Sequence, residues 1–142
     1  MIAYFDCFSG ASGDMILGAL VDAGWTGLKE AHDSLNVPGW RLDAKKVVKR
    51  GITATSVSFD LDAQSKHRHL ADMLAIIAAS GLQEPVRDAA SAIFRRLGEV
   101  EAGVHGIPLE QVHFHELGGL DTLLDVAGGC AGFAHFGFRQ VA

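Results

Sequence analysis

The segment that most constrains the fold runs from Glu84 to Val104, because its apolar residues recur at intervals of three or four. This spacing places them along one face of an α-helix, and such a face must pack against a core. The apolar positions are Val86, Ala90, Ile93, Phe94, Leu97, Val100 and Val104. The chain therefore contains at least one long amphipathic helix.

A different pattern, strict alternation of inward and polar residues, covers Thr53 to Leu61 and predicts a half-buried strand. Arg41 to Lys49 precedes it, and the Gly51 between them predicts two antiparallel strands with a tight connection. Other predicted elements are a first strand over residues 2–7, a helix capped by Ser12 that stops at Gly24, a helix from Thr26 to the Pro38-Gly39 turn, and helices over Leu70 to Ala79 and Thr122 to Phe136.

Strands and helices thus mix along the chain, which predicts an α/β fold, with α+β as the alternative. We expect a small mixed sheet of about four strands packed with about five helices. A length of 142 residues is typical of one domain, so residues 1–142 are predicted to form a single domain. Gly128, Gly129 and Gly132 in the last helix predict a close backbone approach to another element, either within the chain or in a packed partner such as a further domain. Whether the chain forms a homo-oligomer stays open.

Composition excludes several classes of function. The net charge is -5 with His neutral, and the one dense basic run, Lys45 to Arg50, is interrupted by valines, so nucleic acid is not an expected partner. Cys7 and Cys130 lie far apart without CxxC spacing, which argues against a disulfide framework and favours a reducing cytoplasm. No apolar stretch reaches the length of a membrane span, so no membrane partner is expected.

The histidines point to a metal site. Four of the seven form two HxH groups, His67 with His69 and His113 with His115. On an extended segment the period of two directs both rings of a group to one side, where they can reach the same ion.

Acidic residues accompany the histidines. Glu101 and His105 are four residues apart on the long helix, so they share a face, and Glu116 directly follows the second HxH group. Together these groups are nitrogen and oxygen donors that suit nickel, zinc or manganese. Asp121 and Asp125 form another pair four apart, which serves either as a helix cap and dipole partner or as part of a site.

A glycine-rich turn between Asp6 and Asp14 joins the first strand to the first helix. Free backbone N–H groups and the helix dipole at such a point can hold a phosphate. The turn has no Walker lysine and does not fit GxGxxG, and its own carboxylates permit a cation instead. A plain turn capped by Ser12 is the alternative.

Four of these motifs, in this order, resemble the N-terminal region of the LarC family of nickel insertion proteins. The matching segments, which together extend over essentially the whole chain, are Tyr4-Phe5-Asp6-Cys7-Phe8-Ser9-Gly10-Ala11-Ser12-Gly13-Asp14-Met15, His67-Arg68-His69-Leu70, Val104-His105-Gly106 and Val112-His113-Phe114-His115-Glu116.

The resemblance implies a CTP-dependent cyclometallase, a lyase that inserts nickel into pyridinium-3,5-bisthiocarboxylic acid mononucleotide to make the nickel-pincer cofactor of lactate racemase. Family members continue into a C-terminal domain that carries the site for CTP and a divalent metal. Because this chain ends at Ala142, we expect that domain to be a missing partner and this chain alone to be incomplete as an enzyme.

On that interpretation, residue type suggests a role for each candidate. Nickel would be held by His67, His69, Glu101, His105, His113, His115 and Glu116. The mononucleotide phosphate would meet Ser9, Gly10, Ser12 and Gly13, and the base would be Asp6, Asp14 or Glu116.

Two other classes of function remain open on the sequence. One is a zinc-dependent hydrolase in which Glu116 activates a bound water. The other is a noncatalytic domain in which the histidines bind metal or only support the structure. Metal selectivity separates the first from nickel insertion, and the metal stoichiometry of His113 and His115 variants tests the second.

Overall fold

A computed structural model describes residues 1–62, 68–114 and 118–142. The described residues form five α-helices and four strands, which confirms the α/β class. The helices are α1 (Gly13–Asp22), α2 (Leu28–Asp33), α3 (Leu70–Ala79), α4 (Glu84–His105) and α5 (Leu120–Phe136), with a 3-10 turn at Leu109–Gln111. The strands are β1 (Ile2–Ala3), β2 (Trp40–Lys49), β3 (Ile52–Leu61) and β4 (Gln140–Val141).

The four strands form two separate pairs. β2 and β3 make the predicted antiparallel hairpin, in register from Trp40 opposite Leu61 to Lys49 opposite Ile52. Arg50 and Gly51 form its tip with φ angles of 50° and 81°, as a turn with two left-handed residues requires. β1 and β4 pair in parallel, which brings the two ends of the described chain together.

Helix α5 lies at the centre, and α1, α2 and α4 all pack against it. Gly128 makes this possible, because a Cβ there would lie 2.6 Å from Nε2 of His32 and 2.9 Å from Leu17. Gly132 has the same role beside Leu20 and Trp25. The predicted close approach is confirmed at these two glycines, whereas Gly129 faces open space.

His32 joins α2, α5 and the hairpin inside the core. His32 is fully buried, and its Nε2 donates a 2.9 Å hydrogen bond to the carbonyl oxygen of Leu124. The rings of Trp40 and Phe59 meet the imidazole edge-on, at centroid distances of 5.5 and 5.1 Å. Burial lowers the pKa of His32 from its ordinary value, so the folded protein favours the neutral ring.

Helices α3 and α4 pack together, and α4 also packs against α5. The core contains large apolar side chains from several elements. Those with almost no exposed surface are Phe94, Phe114, Leu17, Met73, Ile77, Leu120, Leu123 and Leu124. Across residues 1–62, 68–114 and 118–142, no helix is both long enough and apolar enough to cross a membrane.

Candidate metal and substrate site

The described histidines of the two HxH motifs, His69 and His113, are neighbours in space. His69 and His113 form an isolated antiparallel β-bridge, and their ring centroids lie 4.5 Å apart with the planes tilted by 60°. Histidines 44 positions apart in the sequence are therefore neighbours. Two nitrogens bound to one ion at about 2 Å lie about 3 Å from each other, so rings at this spacing suit a shared cation.

Alternation along the second motif directs His113 towards His69. Val112 and Phe114 each expose only 1% of their surface, so both point into the core and His113 points the opposite way. On the other side, His69 is the N-cap of α3, and its backbone N–H donates a 3.0 Å bond to Oδ2 of Asp72. Both rings are thus carried by backbone that is fixed by packing or hydrogen bonds.

Gly118 closes this arrangement, and its role was not anticipated from the sequence. Its carbonyl accepts a 3.2 Å hydrogen bond from the N–H of Arg68. A Cβ on Gly118 would lie 2.6 Å from the carbonyl oxygen of Phe114 and 2.8 Å from that of Arg68. Only glycine lets these three stretches of backbone approach so closely.

Three predicted ligands, His67, His115 and Glu116, lie outside the described residues. The alternation that was predicted to align His113 with His115 is present as far as Phe114. The contribution of those three residues to a metal site stays a prediction.

Glu101 and His105 do share a face of α4, as their spacing predicts, and Oε1 lies 3.2 Å from Nε2. One turn earlier, Gly98 packs against Leu70, the residue that follows His69, so α4 passes the start of α3 just before this pair. Within the described ranges, no group of three or more His, Cys, Asp or Glu side chains could hold a metal ion. The described residues thus provide two separate pairs of possible metal ligands, His69 with His113 and Glu101 with His105.

The glycine-rich turn before α1 is held by a 2.9 Å hydrogen bond from the N–H of Gly10 to the carbonyl of Cys7. Ser12 is the N-cap of α1, as predicted, but its hydroxyl donates to Oδ1 of Asp14 and makes no capping bond to the backbone. The expected side-chain cap is therefore wrong, because the hydroxyl is oriented towards Asp14 and its oxygen accepts no backbone N–H of the first turn. Phosphate binding by this turn stays a prediction.

Asp125 is the carboxylate that sequence reasoning left undecided. Burial, and then the charges of Asp14 and Asp121, raise its pKa to about 6. Its Oδ1 is buried without a hydrogen-bond partner among the described residues. The signal in the sequence was the i,i+4 acidic pair, but its effect depends on α1 lying against α5.

Beside Asp125, an apolar groove of about 230 Å³ lies between α1, α4 and α5. Its lining residues are Gly13, Ile16, Ile93, Asp125, Val126, Gly129, Cys130 and Phe133. Burial raises the pKa of the Cys130 thiol to about 11, so this sulfur is protonated at neutral pH.

Comparison with known proteins identifies the family. The sequence profile of the family described as nickel insertion protein matches residues 3–142. The chain belongs to the nickel insertion protein family.

Two relatives show how far the similarity to other nickel insertion proteins extends. A relative from Thermomicrobium roseum is 46% identical over 143 residues, which cover 99% of this chain and 35% of the relative. A protein from Desulfitobacterium hafniense, named pyridinium-3,5-bisthiocarboxylic acid mononucleotide nickel insertion protein, is 44% identical over 141 residues, or 98% of this chain and 35% of that protein. No solved structure matches the chain.

The family resemblance inferred from the four motifs is therefore confirmed. The chain spans about a third of the length of these nickel insertion relatives.

Proposed function

We propose that this chain is the nickel-handling part of a protein that inserts Ni(II) into pyridinium-3,5-bisthiocarboxylic acid mononucleotide. The observation that carries the proposal is the bridge between His69 and His113, which places two imidazoles from separate motifs 4.5 Å apart. Family membership and the name of the Desulfitobacterium hafniense relative support nickel and this acceptor.

Insertion requires that nickel be held firmly enough to be delivered yet be released to the acceptor. Neutral imidazoles and carboxylates bind Ni(II), whereas thiolate-type sulfur binds soft and borderline metals more strongly. Two histidines leave most coordination positions open, so the thiocarboxylate sulfurs can enter before the imidazoles leave. His67, His115 and Glu116 are the nearest residues in sequence that complete the set, and the pair Glu101 and His105 supplies further donors from α4.

A base is needed because the ring carbon that bonds to nickel must lose its proton. The C–H bond breaks, its electron pair forms the nickel–carbon bond, nickel stays Ni(II), and the proton passes to a carboxylate. Asp6, Asp14 and Glu116 were the candidates from the sequence. Asp125 joins them, since a pKa of about 6 suits a group that accepts a proton near neutral pH.

The turn at Ser9, Gly10, Ser12 and Gly13 is the proposed contact for the mononucleotide phosphate. The carboxylates of Asp14 and Asp125 beside this helix start oppose an anion, so a bound divalent cation would be expected to offset their charge.

The remaining expected features would lie in the two thirds of the relatives' length that this chain does not span. We propose that those two thirds supply the CTP site with its divalent metal, and that the complete protein is a cytoplasmic lyase of the cyclometallase type that matures lactate racemase. This chain alone would bind nickel without completing the reaction.

Isothermal titration with Ni(II) and Zn(II) tests the nickel site. The variants His69→Ala and His113→Ala should each weaken nickel binding at least 10-fold, and the double variant should abolish it. His135→Ala is the matched control, because His135 lies in the last turn of α5, whereas the bridge lies beside the start of this helix. This variant should bind nickel as the parent does. Equal nickel affinity in the double variant and the parent would overturn the proposal, and zinc-dependent phosphoester hydrolysis would favour the hydrolase instead.

A further inference from the structure

The groove beside Asp125 has the composition of a site for one aromatic ring. Ile16 of α1, Ile93 of α4, and Val126 and Phe133 of α5 give it apolar walls, and Asp125 and Cys130 are the polar groups in its lining. Ligand sites are typically apolar with a few placed polar groups, and those for drug-sized molecules begin at about 300 Å³. A groove of about 230 Å³ therefore suits a single ring with its substituents outside.

Asp125 is held at this groove in an unusual state. A Cβ on Gly13 would come within 3.0 Å of Oδ2, Cγ and Cβ of Asp125, so the carboxylate is pressed against the first residue of α1. Its Oδ1 is buried and, within the described part of the chain, lacks a hydrogen-bond partner. A buried carboxylate oxygen without a partner costs free energy that a positively charged ligand would recover.

Glycine also keeps the groove open. A Cβ on Gly129 would meet nothing within 4 Å, although this residue lines the groove. Glycine in the middle of a helix costs stability relative to alanine, and here no packing contact requires it. The open position leaves room for a ligand.

We propose that this groove binds an N-substituted pyridinium ring, with Asp125 as the counter-charge, and that it is the ring subsite for the nickel acceptor. The inference rests on the proposed function for its natural ligand. Charge complementarity selects this occupant, since a cationic ring meets apolar walls along its faces and the Asp125 carboxylate in the lining. Asp14 and Asp121, which act electrostatically on Asp125, add negative charge nearby.

The titratable groups that face Asp125 act in the same direction. Asp14 on α1 and Asp121 on α5 both disfavour its ionised form, Cys130 stays a neutral thiol, and α4 presents the apolar Ile93. Asp125 thus gains its charge as pH rises through about 6. Binding of a cation that does not itself titrate should strengthen over the same range.

The probe for this site is 1-methylnicotinamide, an N-substituted pyridinium cation without a titratable group, titrated by calorimetry. Gly129→Leu fills the groove and should weaken binding at least 10-fold. Gly103→Leu, at another helical glycine with nothing within 4 Å, is the matched control and should remain within twofold of the parent. Thermal melting verifies that both variants fold, and unchanged binding by a folded Gly129→Leu variant overturns the proposal.

The pH profile provides a second test that a purely structural role of Asp125 would not pass. Parent affinity for the probe should rise several-fold between pH 5 and pH 7.5, and Asp125→Asn should give a weak, flat profile. A parent profile that is flat, or one that Asp125→Asn retains, contradicts the assignment.

Nickel titrations on the parent and on Gly129→Leu separate this inference from the proposed function. Gly129→Leu should keep the parent's nickel affinity, because Gly129 belongs neither to the His69–His113 pair nor to the candidate bases. If nickel binding fails in the parent while the probe still binds, the proposed function is wrong and the ring site stands.

Discussion

Gly13 and Asp125 are packed so tightly that any side chain at position 13 would come within 3.0 Å of three atoms of Asp125. One of those atoms is the Cβ of Asp125, so rotating the carboxylate away does not relieve the clash. This contact joins the glycine-rich turn to α5 and fixes the position of a carboxylate whose pKa is raised to about 6.

We expect Gly13→Ala to lower the free energy of unfolding by about 1–3 kcal/mol, the usual cost of forcing extra atoms into a packed contact. Urea unfolding measures it. The double variant Gly13→Ala/Asp125→Ala should recover at least half of the loss, since the truncated side chain makes room. Gly129→Ala is the control and should stabilise α5 by up to about 1 kcal/mol, because its Cβ enters open space. A Gly13→Ala variant as stable as the parent would show that α1 and α5 are not this close.

The raised pKa of Asp125 predicts a pH-dependent stability. Because its folded-state pKa of about 6 lies above the ordinary value of 3.8, the folded state is penalised by the charged form, and the penalty disappears as pH falls through 6 towards 4. At pH 7.5 the free energy of unfolding of Asp125→Asn should therefore be higher than that of the parent. The expected difference is about 1 kcal/mol after allowance for the partial exposure of Asp125. Urea unfolding at pH 7.5 and pH 4.5 checks that this advantage shrinks in acid, and an advantage of equal size at both pH values would contradict the assignment.

The lowered pKa of His32 predicts the opposite dependence of stability on pH. Its folded-state pKa lies below the ordinary 6.5, so its neutral form is the stable one, and stability is lost as pH falls below 6.5, where the unfolded state takes up the proton. His32→Leu should lower the melting temperature by several degrees at pH 7.5, since it loses the bond to Leu124. The decrease in stability between pH 7.5 and pH 5 should become smaller than in the parent. Equal slopes in the two proteins would mean that His32 is not buried as described.

Gly118 predicts a link between backbone packing and nickel binding. A Cβ there would press on the backbone of Phe114 and Arg68, which cannot move aside as a side chain can. Gly118→Ala should therefore separate His69 from His113 and weaken nickel binding about 10-fold, a loss of about 1.4 kcal/mol. Calorimetry measures the affinity, and Gly103→Ala serves as the unstrained control. If nickel affinity is unchanged in a folded Gly118→Ala variant, the bridge does not position the two rings.

Local patterns in the sequence were enough to predict most elements. The predicted helix over Leu70 to Ala79 agrees with α3 at both ends, and the Gly51 connection was confirmed as the hairpin tip. These features depend on periodicity and on turn chemistry, which act over a few residues. The division of four strands into two pairs was not foreseen, because strand partners such as β1 and β4 are set by contacts across the whole chain.

The same limit applies to the site. The two HxH groups were predicted from residue type to form a metal site, but the contact of His69 with His113 depends on a backbone bridge between distant segments. The close packing contacts of Gly118 and Gly13 gave no specific signal in the sequence, since each depends on a neighbour that only the fold provides. The role of Asp125, as a helix cap or as part of a site, was undecided for the same reason, because its raised pKa depends on α1 packing against α5.

Because the Cys130 thiol is protonated at neutral pH, it is a weak ligand for nickel. On the proposed function, nickel passes from this chain to the sulfur atoms of an acceptor, and a thiolate of the chain's own would compete with them for the ion. The helix packing around α5 keeps this sulfur protonated at neutral pH. Cys130 would therefore not compete with the acceptor's sulfur atoms for the ion.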